Sequence, residues 1–182
     1  MVKINSFLFE VLKIAYFFVP AYFANMAPVL FSKINFLNYS VDCGMKLRGK
    51  RLFGANKTFR GFFFAIIMGI VVAGLQWLLN FSNLNLVNYG NFNFVLVGFL
   101  LGFGALFGDL IESFFKRQLN FKPGQSFIPF DQIDYTFGAF VLVSLFFKVS
   151  VLPFLVLLIC VIPVHLLVNY IGFKLKLRKD ML

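Results

Sequence analysis

The chain has 182 residues, of which 60% are hydrophobic and only 13% charged, and it carries a formal net charge of +10. Soluble domains are roughly 45–50% apolar and about 25% charged, so this composition excludes an ordinary water-soluble protein and predicts a single transmembrane domain. An excess of Lys and Arg in such a chain reflects basic loops kept on one side of a membrane, and no nucleic-acid partner is expected.

The elements follow in chain order. Residues 14–31 carry no charge and are long enough for a first span, with Pro20 and Pro28 expected to kink it. This run lacks an Ala-x-Ala end and abuts Lys13, so it reads as a span and not as a cleaved signal peptide. Residues 33–60 form a polar loop with seven Lys and Arg against one acid, Asp42. No charge occurs from Gly61 to Gly108, a run broken by an Asn-rich connection at 80–93. Residues 62–79 therefore read as a second span and 94–107 as the apolar part of a third. Gly98-x-x-x-Gly102 predicts close helix packing, whereas Gly108, beside Asp109, is read as leaving room for a ligand.

A charged stretch at 109–134 follows. Residues 135–147 form a short fourth span that needs extra length from the region of Asp131, and 149–173 a fifth, interrupted by Pro153 and Pro163. The tail from Lys174 to Lys179 is basic. Fourteen of the seventeen Lys and Arg fall in the 33–60 loop, the 109–134 stretch and the tail. The expectation is an all-α integral membrane protein of about five transmembrane helices, N-terminus outside and C-terminus cytoplasmic. Residues 1–182 form one domain with cytoplasmic loops at about 33–60 and 109–134, multi-pass in the plasma membrane. Cys43 lies in a basic loop and Cys160 inside an apolar segment, so neither a disulfide nor a zinc site is expected. His165, the sole histidine, reads as a helix-packing group.

Four of the seven acids, Asp109, Glu112, Asp131 and Asp134, lie within 26 residues beside Lys116, Arg117 and Lys122. If the third helix continues past Gly108, Asp109, Glu112 and Lys116 share a face at i, i+3 and i+7. Asp131 and Asp134 repeat the i, i+3 spacing just after Pro129, a residue favoured at a helix start. Clustered carboxylates repel unless a cation sits among them, and Mg²⁺ suits hard oxygen ligands combined with substrate phosphates. Asp109, Asp131 and Asp134 are the expected metal ligands and, with Lys116, the expected catalytic set. Glu112 reads equally well as a ligand or as a boundary charge. On the same membrane side, Gly54-Ala-Asn56-Lys57-Thr58-Phe-Arg60-Gly61 is not a Walker A loop. Even so, Asn56, Lys57, Thr58 and Arg60, together with Lys116 and Arg117, supply donors for nucleotide phosphates. Basic loop and acidic cluster together suggest a metal-held triphosphate.

The strings at 54–61, at 108–117 (Gly-Asp-x-x-x-Ser-Phe-x-Lys-Arg) and at 129–134 (Pro-Phe-Asp-Gln-x-Asp) resemble CDP-archaeol synthases. These form the compact archaeal-type branch of the membrane CTP:phosphatidate cytidylyltransferases. The chain departs from the family's usual pattern at Phe59, where Trp is common, and at Gln118, where a third base is common. The resemblance implies that CTP and a lipid phosphate, such as 2,3-bis-O-geranylgeranyl-sn-glycerol 1-phosphate, react in the bilayer to give a CDP-lipid and pyrophosphate. An acyl phosphatidate is the alternative substrate. A small transporter or a scaffold is the alternative of another class, but it leaves the acid cluster at one membrane edge unexplained. The Asp-Gly motif of the CDP-alcohol phosphotransferases does not occur in the chain.

Overall fold

The structure is a computed structural model that describes residues 2–81, 93–122 and 124–174. The middle of the Asn-rich connection (82–92) and the basic tail beyond Lys174 lie outside them. Among the described residues there are six helices: α1 (Val2–Phe17), α2 (Val19–Leu30), α3 (Phe59–Phe81), α4 (Phe94–Gln118), α5 (Phe130–Ser144) and α6 (Val151–Lys174). Two two-residue strands, β1 (Lys46–Leu47) and β2 (Lys50–Arg51), form an antiparallel hairpin. Four helical stretches are long and apolar enough to cross a membrane: Ser6–Leu30, Phe59–Leu79, Phe94–Gln118 and Val151–Ile171. The protein is thus a helical membrane protein, as composition predicts.

The first helix starts earlier than residue 14. Lys13 and Glu10 pair at 3.2 Å across one helical turn, which lets the helix run through both charges. Helices α1 and α2 join at Phe18, just before Pro20. Proline has no N–H, so the Tyr16 carbonyl lacks its usual donor four residues on. Gln76 of α3, itself buried, donates a side-chain hydrogen bond to that carbonyl. The kink and this α1–α3 contact are in this way one feature. Helix α5 has 15 residues and starts at Phe130, so it gains its extra turn from the region of Asp131.

Helix α4 is the central strut. Asn93 caps its start, accepting from the Val95 and Leu96 N–H groups at 2.9 and 3.3 Å. One face meets α3, where a Cβ on Gly102 would lie 2.7 Å from the Ala65 carbonyl oxygen. A second meets α5, where a Cβ on Gly104 would lie 2.7 Å from the Ala139 Cα. The third small residue is decisive. A Cβ on Gly108 would lie 2.1 Å from the Asp134 carbonyl oxygen, so the space beside Gly108 is filled by the α5 backbone and holds no ligand. The core is closed by Phe18, Ala21, Leu101, Ala139, Val143 and Phe154, with Phe140 stacked on Phe154 at 3.8 Å. His165 of α6 packs edge-on against Tyr135 of α5 at 5.7 Å.

The loop from 31 to 58 is organised by Asp42, which is fully buried. Its carboxylate accepts from the Arg51 guanidinium and from the backbone N–H groups of Gly44, Phe53 and Gly54. Burial alone would raise this carboxyl, but Arg51 and the three N–H donors hold it well below the usual carboxylate range. A depressed carboxyl pKa contributes stability that is present above the unfolded value and is lost as pH falls towards the folded one.

Two outcomes are expected. Asp42→Asn will destabilise detergent-solubilised protein by about 3 kcal/mol near neutral pH, and the gap from wild type in thermal unfolding will close as pH drops below about 4. Gly108→Ala will cost about 1–3 kcal/mol or prevent folding. By contrast Gly74→Ala, whose Cβ would rest 3.4 Å from the Phe94 ring, will unfold close to wild type in the same assay.

Candidate active site

The close α4–α5 crossing sets the site. Helix α4 continues unbroken past Gly108, so Asp109, Glu112 and Lys116 line one face at its end. The Gly108–Asp134 contact carries the first turn of α5 to the same place. One carboxylate oxygen each from Asp109, Glu112 and Asp134 lie within 4.8 Å of one another. Asp131, in the same helical turn as Asp134, is not one of these three but lies beside them: its carboxyl meets that of Glu112, and it accepts from Lys116 Nζ at 2.8 Å and from the Phe127 N–H at 2.7 Å. Lys116 Nζ also lies 3.4 Å from Glu112 Oε1, an ion-pair distance, yet that buried oxygen accepts no hydrogen bond.

Glu112, open in the sequence reading, is therefore the third member of the closest carboxylate group, while Asp131 holds a lysine. The signal for Glu112 was its i+3 spacing from Asp109. What the spacing lacked was the rotation of α5, which decides whether Asp131 or Asp134 faces α4. Three hard oxygen donors so close together, one with an orphaned buried oxygen, fit a divalent cation.

The second half of the site arrives from the loop before α3. Lys57 Nζ donates to both Asp109 carboxylate oxygens at 2.6 Å. Burial would lower this ammonium, but the Asp109 charge outweighs it and holds Lys57 above its ordinary value. The loop backbone is pinned: the Val41 N–H donates to the Lys57 carbonyl at 2.7 Å, and the Phe59 and Arg60 N–H groups donate to the Tyr39 and Leu37 carbonyls. Thr58 caps α3, its hydroxyl accepting from the Gly61 N–H at 3.2 Å. Arg60 donates to the Ile34 carbonyl at 2.8 Å, and Arg117 to the Lys122 carbonyl at 3.2 Å. Gly54 takes φ of +103° and lies against the Arg117 side chain, a turn that disfavours any other residue. Asn56 is exposed beside a small cleft. Its lining combines Asn56, Lys57, Thr58 and Asp109 with the apolar Pro28, Phe62 and Leu106.

Of the residues read from sequence as phosphate binders, Lys57 and Asn56 thus sit at the cleft with Asp109, and Lys116 sits among the acids. Thr58 lines the same cleft while capping α3, and Arg60 and Arg117 each make a local hydrogen bond near the site. Asp42 and Arg51, which sequence reasoning passed over as loop charges, hold the loop that carries Lys57.

Residues 7–181 match the family model described as CarS-like, CDP-archaeol synthase. The chain is 38% identical over 165 residues to the CDP-archaeol synthase of Thermofilum pendens, covering 88% of this chain and 76% of that one. It is 37% identical over 162 residues to that of Thermococcus gammatolerans, covering 88% and 90% respectively. The CDP-archaeol synthase of Archaeoglobus fulgidus is 34% identical over 178 residues, with 93% and 96% covered. Among solved structures, one described as "Structural insight into an intramembrane enzyme for archaeal membrane lipids biosynthesis" superposes with a TM-score of 0.73 at 27% identity. That match covers 87% of this chain and 94% of the other. With a family model spanning nearly its whole length and relatives above 30% identity over most of theirs, this chain belongs to the CDP-archaeol synthase family of membrane nucleotidyltransferases.

Proposed function

We propose that the protein transfers the CMP unit of CTP to the phosphate of an isoprenoid-ether lipid, 2,3-bis-O-geranylgeranyl-sn-glycerol 1-phosphate, releasing pyrophosphate. The observation that carries this reading is the meeting of three carboxylates from α4 and α5 with Lys57, at Asp109, and Lys116, at Glu112. A lipid-phosphate oxygen attacks the α-phosphorus of CTP, and the bond to the oxygen bridging the α- and β-phosphates breaks. The nucleophile is already an anion, so no strong general base is needed. The demand is for positioning and for neutralising charge on the leaving pyrophosphate.

Asp109, Glu112 and Asp134 offer the nearest ligand oxygens for Mg²⁺, and Asp131 is available as a further ligand should Lys116 turn away. Bound there, Mg²⁺ would neutralise phosphate charge and orient the triphosphate. Lys57 is placed to exchange its contact with Asp109 for a phosphate oxygen, with Asn56 beside it at the cleft mouth. Lys116, held by Asp131, brings a second positive charge to the cluster through Glu112. Arg60 and Arg117 retain N–H groups beyond those they use locally, and Arg suits phosphate. The apolar wall of Pro28, Phe62 and Leu106 gives a lipid stem a surface next to Asp109.

The basic bias of the loops supports a cytoplasmic location for this end of the bundle, where CTP is present. An acyl phosphatidate differs only in the part of the substrate that meets apolar helix faces, so the ether preference rests on kinship with the CDP-archaeol synthases.

Purified protein in detergent, given labelled CTP, Mg²⁺ and either an isoprenoid-ether or an acyl lipid phosphate, is expected to form CDP-lipid, faster with the ether lipid. No product with either lipid overturns the reading. Asp109→Ala and Glu112→Gln are expected to lower the rate by about 100-fold or more and Lys57→Met by about 10–100-fold. Full activity of Asp109→Ala removes the metal assignment.

A further inference from the structure

The catalytic reading leaves one part of the molecule unused. Residues 43–49 are exposed without exception, and they run from the base of the β1–β2 hairpin to its turn at Arg48-Gly49. The hairpin is short but braced from both sides. On one side, Arg51 is locked onto buried Asp42. On the other, Lys50 Nζ donates to the Gln118 carbonyl at the end of α4, at 2.6 Å. The turn at Arg48-Gly49 takes φ of +51° and +79°, the mirror-image geometry that matches the twist of a two-residue hairpin.

Its side chains alternate in chemistry. Lys46 pairs across the hairpin with Arg51, and Leu47 with Lys50, so Met45 and Leu47 share one face and Lys46 lies on the other. Met45 is 54% exposed and Leu47 44%, and no acid is exposed with them, because Asp42, the only acid between residues 33 and 60, is fully buried. Lys46 and Arg48 make no ion pair among the described residues. Farther back along the loop, Ile34, Phe36 and Tyr39 are also exposed, and Phe36 packs edge-on at 5.2 Å against Phe63 on the outer face of α3.

Depth decides what this surface meets. Helix α4 has 25 residues, about 37 Å of length against a hydrocarbon core of about 30 Å. Its last carbonyls, including the one that holds Lys50, therefore reach headgroup level. A ribbon tied there, with apolar and cationic side chains alternating and no exposed acid, is complementary to an anionic lipid surface. Free nucleotide would use the cations but gives no place to Met45 and Leu47.

We infer that the 43–49 hairpin is a membrane-surface finger that docks onto anionic lipid headgroups of the bilayer in which the protein sits. Lys46 and Arg48 face lipid phosphates, and Met45 and Leu47 enter the interface. Taken with the proposed function, on which this last step rests, the finger gathers anionic lipids, the substrate's own charge class, beside the cleft.

The chain carries its own probe position. Cys43 is exposed at the base of the finger, and Cys160→Ser leaves it as the only thiol. This variant, labelled at Cys43 with an environment-sensitive fluorophore, is placed in nanodiscs of a neutral lipid or of the same lipid mixed with an anionic phosphoglycerol lipid. The expected result is a blue-shifted emission and stronger quenching by bilayer spin labels in the anionic discs. Each of K46E and R48E should weaken the anionic preference about fivefold or more, and M45S with L47S should remove the quenching. Equal emission in both discs, a shift produced by added CTP or inorganic phosphate in neutral discs, or a shift that survives both charge reversals overturns the inference. The readout needs no turnover, so it is repeated with Asp109→Ala. A shift retained there together with no CDP-lipid from the wild type would sink the synthase reading and leave the finger standing.

Discussion

Helices α4 and α5 touch through backbone at Gly104, Gly108 and Gly138, and no side chain can be inserted at that crossing. Because the contact is backbone to backbone, it fixes translation and rotation of α5 on α4 together. Asp134 contributes both the carbonyl that meets Gly108 and the carboxylate that meets Asp109. Packing and chemistry therefore share one residue, and the acid cluster cannot be loosened without separating the helices. In a membrane, where apolar burial gives little drive for helix association, such close approach of small residues is what remains to hold two helices together.

Charge balance is the second constraint. Of the four carboxylates at one end of an apolar bundle, three are answered by a cation: Lys57 sits on Asp109, and Lys116 lies between Glu112 and Asp131. Asp134 makes no ion pair among the described residues and accepts only from the Tyr135 N–H, at 2.6 Å. Both lysines are half-buried or more, and both are on or next to segments pinned by unrelated contacts. Lys57 is held through the Val41–Lys57 backbone bond in a loop nailed down by Asp42. Lys116 is supported by the turn at Phe127, whose N–H fixes Asp131. The cluster is assembled before any substrate arrives, so little of the binding free energy has to go into ordering it.

Much of this was legible in the sequence because helical periodicity and charge economy are local properties. A chain with seven acids that places four of them within 26 residues, at i, i+3 spacings beside proline and glycine, announces a site. The shared face of Asp109, Glu112 and Lys116 was legible on the condition that the third helix continues past Gly108, and α4 does. The choice between Asp131 and Asp134 as partner of Asp109 was not, since it depends on the rotation of α5, a tertiary quantity. Gly108 was misread for a related reason: a missing side chain signals close approach, and only the structure shows that the visitor is the α5 backbone. Asp42 was the larger omission. A single acid among seven bases was noted as an exception to the loop's charge, whereas its burial makes it the loop's organiser. The start of the first helix also came too late in the sequence reading, because Lys13 looked like a boundary and is paired with Glu10 inside a helix.

The central claim is that Asp109, Glu112 and Asp134 form one metal-binding group that holds the triphosphate of CTP. Electron–nuclear double resonance on Mn²⁺ bound to the purified protein tests it most directly. With CTP present, the account predicts a ³¹P coupling to a single class of bound Mn²⁺, with both the binding and the coupling lost in Glu112→Gln and Asp134→Asn. Mn²⁺ bound equally well by those variants, or bound without any ³¹P coupling when CTP is added, would contradict it.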